Sequence, residues 1–328
     1  MQVAPQKRKD WIDALRAIAI LLVVFGHQVQ WWDGFFVYTS PVKVPLFFAI
    51  SGYLFKSRNG DIRLFFSKLV RSLVVPYFVL AFIYGLLSVP ITGISQFPEY
   101  CQKVFSGDLF WFMPCLIVGE VIFFFSLKVF RNTLLVGIVS SFWFVIGLFC
   151  VRSGVLSFAM INIAMVIQLF MFMGYLFRII EPYLRGINWI SIIVGIVFYL
   201  ILCFVGDVFS LSNSLDVHLG SFGNVVPFTL VLIVFGNALV FALAMKIKQY
   251  PRLLIYIGQN TLLQYMWAGL GIAPIFLLLK ILHIPKPHES MLFATICFVS
   301  SVLVCCLCSI IINRYCPFMV GKTKVNKQ

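Results

Sequence analysis

Long runs of apolar residues, each about the length of a membrane span, alternate with short charged breaks along the whole chain. An α-helix needs about 20 predominantly apolar residues to cross the hydrocarbon core of a bilayer. The runs predict ten helices, at residues 11–30, 36–55, 65–89, 108–127, 133–151, 155–177, 187–206, 223–245, 254–279 and 291–312. The predicted fold class is therefore all-α, a polytopic membrane bundle. It forms one domain over residues 1–328, with short tails at 1–10 and 314–328.

Positive charge is distributed unevenly between the two sets of predicted loops. An even number of spans puts both termini on one side, and Lys43, Lys103, Arg152, Lys280 and Lys286 fall on the other. The basic residues on the side of the termini are Lys7, Arg8, Lys9, Lys56, Arg58, Arg63, Lys128, Arg131, Arg178, Arg185, Lys246, Lys248, Arg252, Arg314, Lys322, Lys324 and Lys327. The positive-inside rule therefore predicts cytoplasmic termini. Orientation also accounts for the net charge of +14, so we predict no nucleic-acid binding.

Three ionisable residues lie on one stripe of the otherwise apolar first span. Arg16 and His27 are eleven positions apart, which returns to within roughly 20° of the same helix face, and Asp13 lies within roughly 60° of Arg16. Ionisable side chains inside a membrane are costly and usually functional. A simpler interpretation stays open, in which Asp13 and Arg16 neutralise each other at the interface and His27 lies among the headgroups.

Ordered motifs across most of the chain resemble the acyltransferase-3 family of membrane acyltransferases. The similar segments are Asp13-x-x-Arg16, the spacing from Arg16 to His27, residues 44–54 (VPLFFAISGYL), the pair Lys68 and Arg71 with Pro76-Tyr77, and residues 258–262 (GQNTL). Residues 111–116 (WFMPCL) look like the branch usually called fucose 4-O-acetylase-related.

Two departures from that branch leave His27 as the only histidine within a predicted span. Many members have a histidine just before the proline of the second-helix motif, where this chain has Lys43-Val44-Pro45. Many also end the Gly258 motif with a histidine, where this chain has Trp267 and Ala268. The remaining histidines fall in predicted outer loops, where we expect solvated side chains; they are His218, His283 and His288.

The resemblance implies an integral membrane O-acyltransferase. The expected reaction moves an acetyl group from cytoplasmic acetyl-CoA, as donor substrate, to a hydroxyl of a cell-envelope sugar or polysaccharide precursor in a bacterial inner membrane. An alcohol is a poor nucleophile at neutral pH and needs a positioned base, which His27 can supply. We expect Arg16 to meet the donor at the inner mouth and Asp13 to orient Arg16. The nine cysteines show no metal-ligand spacing, so no metal is predicted.

Donor and acceptor need different side chains. Coenzyme A carries several phosphate charges, and Arg16, Lys68 and Arg71 are the predicted donor-binding cations. Lys68 and Arg71 stand three apart, on one face of a regular helix; the alternative is that they snorkel to lipid headgroups. The predicted acceptor-binding residues are Trp111, Glu120, Ser51 and Tyr53.

Several alternatives remain open on the sequence alone. A transporter or flippase of a sugar or lipid-linked substrate would also carry prolines and polar residues in its helices, such as Pro76, Pro114 and Asn224. Direct transfer and an acyl-histidine intermediate both require His27. Besides donor and acceptor, the expected partner is membrane lipid, and the oligomeric state stays open, with a homodimer as one option.

Overall fold

The computed structural model of the chain describes residues 9–56, 60–212, 215–285, 287 and 290–322. Among these residues every regular element is helical and no β-strand is present, which confirms the predicted helical bundle. The elements in chain order are α1 (Asp10–Gln28), α2 (Asp33–Leu54), α3 (Ile62–Leu69), a π-helical segment (Val70–Val74), α4 (Val75–Thr92), α5 (Phe97–Ser106), α6 (Phe112–Val129), α7 (Thr133–Arg152), α8 (Ile161–Val166), α9 (Gln168–Ile179), α10 (Glu181–Gly186), α11 (Trp189–Val208), α12 (Val226–Lys246), α13 (Arg252–Gln259), α14 (Thr261–Ile281) and α15 (Met291–Tyr315).

Each of the ten predicted spans overlaps helix in the structure. By length and composition, eight helical stretches of the described chain can cross a membrane, or nine if the bent pair α8 and α9 counts as one span. The first predicted span corresponds to α1, which has 19 residues and carries Asp10, Asp13 and Arg16. The apolar runs of the sequence thus predict the positions of the long helices, because a helix that crosses a membrane needs a long apolar stretch.

Two predicted spans are broken. The span 155–177 is divided into α8 and α9, which meet at a bend of 50°. The span 254–279 is interrupted at Asn260, whose φ of −126° is not helical. Its side-chain amide donates to the carbonyl of Tyr256 at 2.8 Å, and its oxygen accepts from Asn313 at 2.8 Å. A short amide side chain that competes for such bonds favours a break over a continued helix.

Two helices, α5 and the six-residue α10, lie outside every predicted span. The segment α5 is short and amphipathic, with Pro98 in its first turn and Gly107 in the left-handed conformation after its last. It packs back along α4, where the hydroxyl of Tyr77 donates to the carbonyl of Val104 at 2.7 Å and that of Tyr100 to the carbonyl of Ala81 at 2.6 Å. A search for apolar runs of spanning length misses such an element.

The two ends of the described chain lie at the same end of the bundle. The Lys322 ammonium donates to Asn260 Oδ1 at 2.9 Å, and the neighbouring Gln259 reaches Asp13 near the start of α1. Part of the predicted C-terminal tail is therefore folded: α15 continues to Tyr315 and a 3₁₀ turn follows at Pro317–Val320. Other charged or tail positions used above lie outside the described residues: Lys7, Arg8, Arg58, Lys286, His288, and residues 323–328 with Lys324 and Lys327.

Glycines bring helices into backbone contact, as expected where lipid tails supply no hydrophobic drive for helix association. A Cβ at Gly52 of α2 would lie 1.8 Å from the carbonyl oxygen of Met171 in α9. A Cβ at Gly258 of α13 would lie 1.7 Å from the carbonyl oxygen of Asp13 in α1. Both glycines belong to motifs of the sequence resemblance, and both fix the distance between two helices.

We predict that Gly52→Ala destabilises the bundle, because the new methyl must push α9 away from α2. Overpacking of this kind costs about 1–3 kcal/mol. The measurement is the apparent Tm in detergent, with Gly186→Ala as control, since a Cβ at Gly186 meets nothing within 4 Å. Equal melting temperatures for the two variants would contradict the close packing of α2 on α9.

Candidate active site

One cavity of about 1400 Å³ is lined by residues from both ends of the bundle. Because α1 and α2 run in opposite directions, Arg16 of α1 and Lys56 just after α2 lie at one end. His27 of α1 and Lys43 of α2 lie toward the other. We call these the Arg16 end and the His27 end. The cavity contains six of the nine predicted site residues, namely Arg16, His27, Ser51, Lys68, Trp111 and Glu120.

At the Arg16 end, two separate sequence motifs meet. Asp13 is buried, and its Oδ1 lies 3.9 Å from Nη1 of Arg16. Gln259 Nε2 donates to the other carboxylate oxygen of Asp13 at 3.3 Å, and Gly258 allows this approach. Arg16 itself lines the cavity with a third of its side chain exposed. Asp13 is not part of the cavity wall, so its contact with the cavity runs through Arg16.

Lys68 and Arg71 do not share a face, contrary to the expectation for residues three apart in a regular helix. Lys68 lines the cavity, whereas Arg71 lines a separate shallow groove with Arg63 and Lys322. Residues three apart differ by about 60° even on a regular helix, and the boundary between cavity and groove falls between these two side chains. The π-helical segment Val70–Val74, which has a wider turn, begins between them. The cavity also includes Lys56, which the sequence analysis counted only as a charge that orients the protein.

At the His27 end, His27 and Lys43 are cavity neighbours. The imidazole of His27 lines the cavity and is exposed to it. The ammonium nitrogen of Lys43 lies 3.6 Å from the position that a Cβ on Gly26 would occupy, next to His27 in the chain. It also lies 4.1 Å from the ring centre of Phe36. Sequence reasoning placed Lys43 at an outer helix end and missed its position in the cavity wall.

His218 lies in a loop, as expected, but its side chain is only half-exposed. Its imidazole stacks on the indole of Trp111, with ring centres 4.7 Å apart and planes inclined by 26°, and both rings line the cavity. The backbone N–H of His218 donates to Asp216 Oδ1 at 2.8 Å, and Asp216 pairs with Ser221 in an isolated antiparallel bridge. Trp111 is far from His218 in the sequence, so no local pattern could have revealed the stack.

Aromatic rings occupy the middle of the cavity wall, between the two ends. Phe47 of α2 lies between Lys43 and Lys56 along the chain, and its ring centre is 5.5 Å from that of Phe112. Phe112 is in turn 5.5 Å from Tyr265 of α14, whose hydroxyl accepts the backbone N–H of Phe112 at 3.1 Å. We call Phe47, Phe112 and Tyr265 the aromatic waist.

The structure separates the four predicted acceptor residues. Trp111, Glu120 and Ser51 line the cavity, and the Ser51 hydroxyl donates to the carbonyl of Phe47 at 3.0 Å. Tyr53 lies outside the cavity wall and is buried. Its hydroxyl donates to Glu181 in α10, which corrects the expectation that Tyr53 faces the acceptor.

Tyr53 belongs to a polar cluster that ties α1, α2 and α10 together. Lys9 donates to the Tyr53 hydroxyl at 3.0 Å and to Glu181 at 3.1 Å, and Arg185 donates to Glu181 at 2.7 Å. Burial alone would raise the pKa of Glu181, but the hydrogen bonds from Tyr53, Arg185 and Lys9 outweigh burial and lower the pKa from its usual 4.5. The cluster is therefore a structural element next to the Arg16 end.

Within the described chain, no group of three or more histidine, cysteine, aspartate or glutamate side chains is arranged to hold a metal ion. The cavity instead offers cations, one exposed imidazole and aromatic faces. A family model described as an acyltransferase domain matches residues 9–310. No curated protein and no solved structure matches the chain.

We predict that Glu181→Gln lowers the apparent Tm at pH 7, because the carboxylate loses its charge-assisted bonds. A depressed pKa means that the stabilisation is present above pH 4.5, the usual pKa of glutamate, and is lost as pH falls through the lower folded value. The difference from wild type should therefore shrink in acid. The control is Glu99→Gln, which breaks an exposed pair with Lys103 and should change Tm little. A Tm difference that stays constant at all pH values would contradict stabilisation by the ionised carboxylate of Glu181.

Proposed function

The chain belongs to the acyltransferase family whose domain model matches residues 9–310, and from this we propose that it acetylates a hydroxyl of a cell-envelope sugar or polysaccharide precursor, with cytoplasmic acetyl-CoA as donor. The observation that carries the proposal is one cavity whose wall includes Arg16, Lys56 and Lys68 at one end and His27 at the other. Cations suit the phosphates of the donor, and an imidazole suits proton transfer from the acceptor.

We propose that the donor enters at the Arg16 end, which faces the cytoplasm of a bacterial inner membrane in our orientation. Arg16 and Lys68 would bind its phosphates, with Asp13 and Gln259 holding Arg16 in place. Arg71 would bind a donor phosphate that lies outside the cavity. Its groove and the cavity are lined by opposite sides of the π-helical segment and of the C-terminal turn. Val320 of that turn lines the cavity, and Lys322 lines the groove.

The pantetheine arm would then extend along the cavity to His27. Arg16 and His27 are separated by roughly 16 Å of helix rise, a distance that a long and mostly neutral arm can span. Its path would pass the aromatic waist, whose apolar rings suit an uncharged chain. The continuity of the cavity supports this path over a relay between two separate sites.

In the proposed reaction His27 accepts the proton of the acceptor hydroxyl. The hydroxyl oxygen attacks the thioester carbonyl carbon, the carbon–sulfur bond breaks, and the thiolate of coenzyme A takes up the proton. An acyl-histidine intermediate would use the same side chain as nucleophile, so both routes depend on His27. The exposure of His27 to the cavity supports either route.

The acceptor would bind toward the His27 end. The stacked rings of Trp111 and His218 present flat faces, against which a sugar ring can pack. Ser51 lies beyond Phe47 on α2 and Glu120 beyond Phe112 on α6, so these two predicted acceptor residues line the wall on the Arg16 side of the aromatic waist. We further propose the fucose 4-O-acetylase-related branch, because residues 111–116 resemble it. Family membership favours acyl transfer over the alternative of a transporter or flippase.

We predict that His27→Ala abolishes acetyl transfer while the protein stays folded and binds coenzyme A. Loss of a general base costs about 10²- to 10⁴-fold in rate. The measurement is transfer of radiolabelled acetyl from acetyl-CoA to the glycan fraction of membranes from cells with and without the gene. The control is His283→Ala, which removes a histidine outside the cavity wall. Full transfer by the His27 variant would refute the role of His27.

We predict that Lys68→Ala weakens coenzyme A binding about tenfold, as expected when a charged hydrogen bond is lost. Arg71→Ala should have a smaller effect, because Arg71 lies in the adjoining groove rather than in the cavity. Calorimetric Kd values for coenzyme A test this order. Lys248→Ala, which removes a positive charge from an exposed loop outside the cavity, is the control for a general loss of charge. Unchanged Kd in the Lys68 variant would assign Lys68 to lipid headgroups instead.

A further inference from the structure

Lys43 lines the cavity but has no part in the donor binding or the proton transfer proposed above. Among the described residues that line the cavity, it is the only lysine or arginine at the His27 end. His27 and the carboxylate of Asp216 line the same cavity. Placing a lysine inside a membrane helix costs free energy, and such residues are usually functional.

Aromatic rings hold the ammonium group of Lys43 in place. The nitrogen lies 4.1 Å from the ring centre of Phe36 and 6.0 Å from that of Phe35. A cation is attracted to the face of an aromatic ring, and more strongly where water is excluded. Because a Cβ on Gly26 would be 3.6 Å from the ammonium and 3.3 Å from Phe35, the space around Lys43 is tight on the α1 side. The ammonium is thus held against α1 at Gly26, one residue before His27.

We propose that Lys43 is a catalytic residue that stabilises the negative charge developing on the thioester carbonyl oxygen. The inference rests on the proposed acyl transfer at His27. Backbone N–H groups in the middle of α1 and α2 are engaged in helical hydrogen bonds, and Lys43 is the cationic side-chain donor that α2 brings to the described cavity wall at the His27 end. Lys43 has three N–H donors and a full charge at the level of the proposed base.

The step balances without any further reactant. The acceptor oxygen forms a bond to the carbonyl carbon as its proton moves to His27, and the carbonyl electron pair moves onto oxygen, where Lys43 donates a hydrogen bond. When this oxyanion collapses, the carbon–sulfur bond breaks and coenzyme A leaves as thiolate, which takes the proton from His27. Lys43 stays protonated throughout and only lowers the energy of the charged intermediate.

The competing explanation is that Lys43 only balances Asp216 and so holds the loop that carries His218. Both explanations predict that loss of Lys43 harms the protein. They differ in what happens when Asp216 is neutralised as well. A charge partner is no longer needed once the carboxylate is gone, whereas a developing oxyanion needs the cation with or without Asp216.

The first experiment compares Lys43→Met with wild type in the acetyl-transfer assay at varied acetyl-CoA concentration. Removing one oxyanion donor lowers kcat by about 10²- to 10³-fold, and KM for acetyl-CoA should stay near the wild-type value. Lys68→Ala provides the contrast, because it should raise KM more than it lowers kcat. Lys43→Arg, which keeps the charge, should recover part of the lost kcat. Near-normal kcat in Lys43→Met, or a loss confined to KM, would overturn the proposal.

The second experiment is the double variant Lys43→Met with Asp216→Asn. We expect its kcat to remain as low as that of Lys43→Met, and recovery of kcat would overturn the proposal in favour of the pairing role. Lys43→Gln is made alongside as an uncharged variant that keeps hydrogen-bond donors, for use should the methionine variant not accumulate in membranes.

Acyl transfer at His27 and the role of Lys43 can be tested separately with the same variants. If the wild-type protein transfers no acetyl group while His27→Ala is equally inactive, the acyl-transfer proposal fails and Lys43 has no role in it. If wild type is active, His27→Ala is inactive and Lys43→Met is fully active, only the role of Lys43 fails.

Discussion

Burial of a carboxylate inside the bundle is the constraint on which the rest of the site depends. Asp13 lies on an apolar helix where water cannot solvate it, so its charge must be met by protein groups. Arg16 and Gln259 meet it, and Gln259 can do so only because Gly258 lets α13 touch the backbone of α1. This contact sets where α14 begins after Asn260 and therefore where Thr261, Leu262 and Tyr265 enter the cavity wall.

The same region explains why the C-terminal turn is ordered. Asn260 breaks the helix, and its oxygen accepts from both Asn313 and Lys322. That junction holds α13, α15 and the end of the described chain together. Val320 then completes the cavity wall close to Ser72 of the π-helical segment. A distant part of the chain thus shapes the Arg16 end through one polar junction.

The sequence predicts the long helices and the face shared by Arg16 and His27, because both follow from apolar length and from the period of a regular helix. It fails where geometry departs from that period or where contacts are distant. Lys68 and Arg71 line different spaces where the helix changes to the π-helical segment, and no residue pattern indicates that change. Tyr53 is drawn to Glu181, Lys43 is held by Phe36, and His218 stacks on Trp111. The Tyr53–Glu181 and His218–Trp111 pairs are joined only by the packing of separate elements, whereas Lys43 and Phe36 lie seven residues apart on α2, a spacing that a regular helix brings to one face.

The aromatic waist also joins three helices. Phe47, Phe112 and Tyr265 belong to α2, α6 and α14, and their rings contact one another in the cavity wall between the Arg16 end and the His27 end. A shift of any one of these helices therefore moves a ring past which a ligand that joins the two ends must lie. Loosening the contacts among the three helices would change passage between the two ends without altering Arg16 or His27.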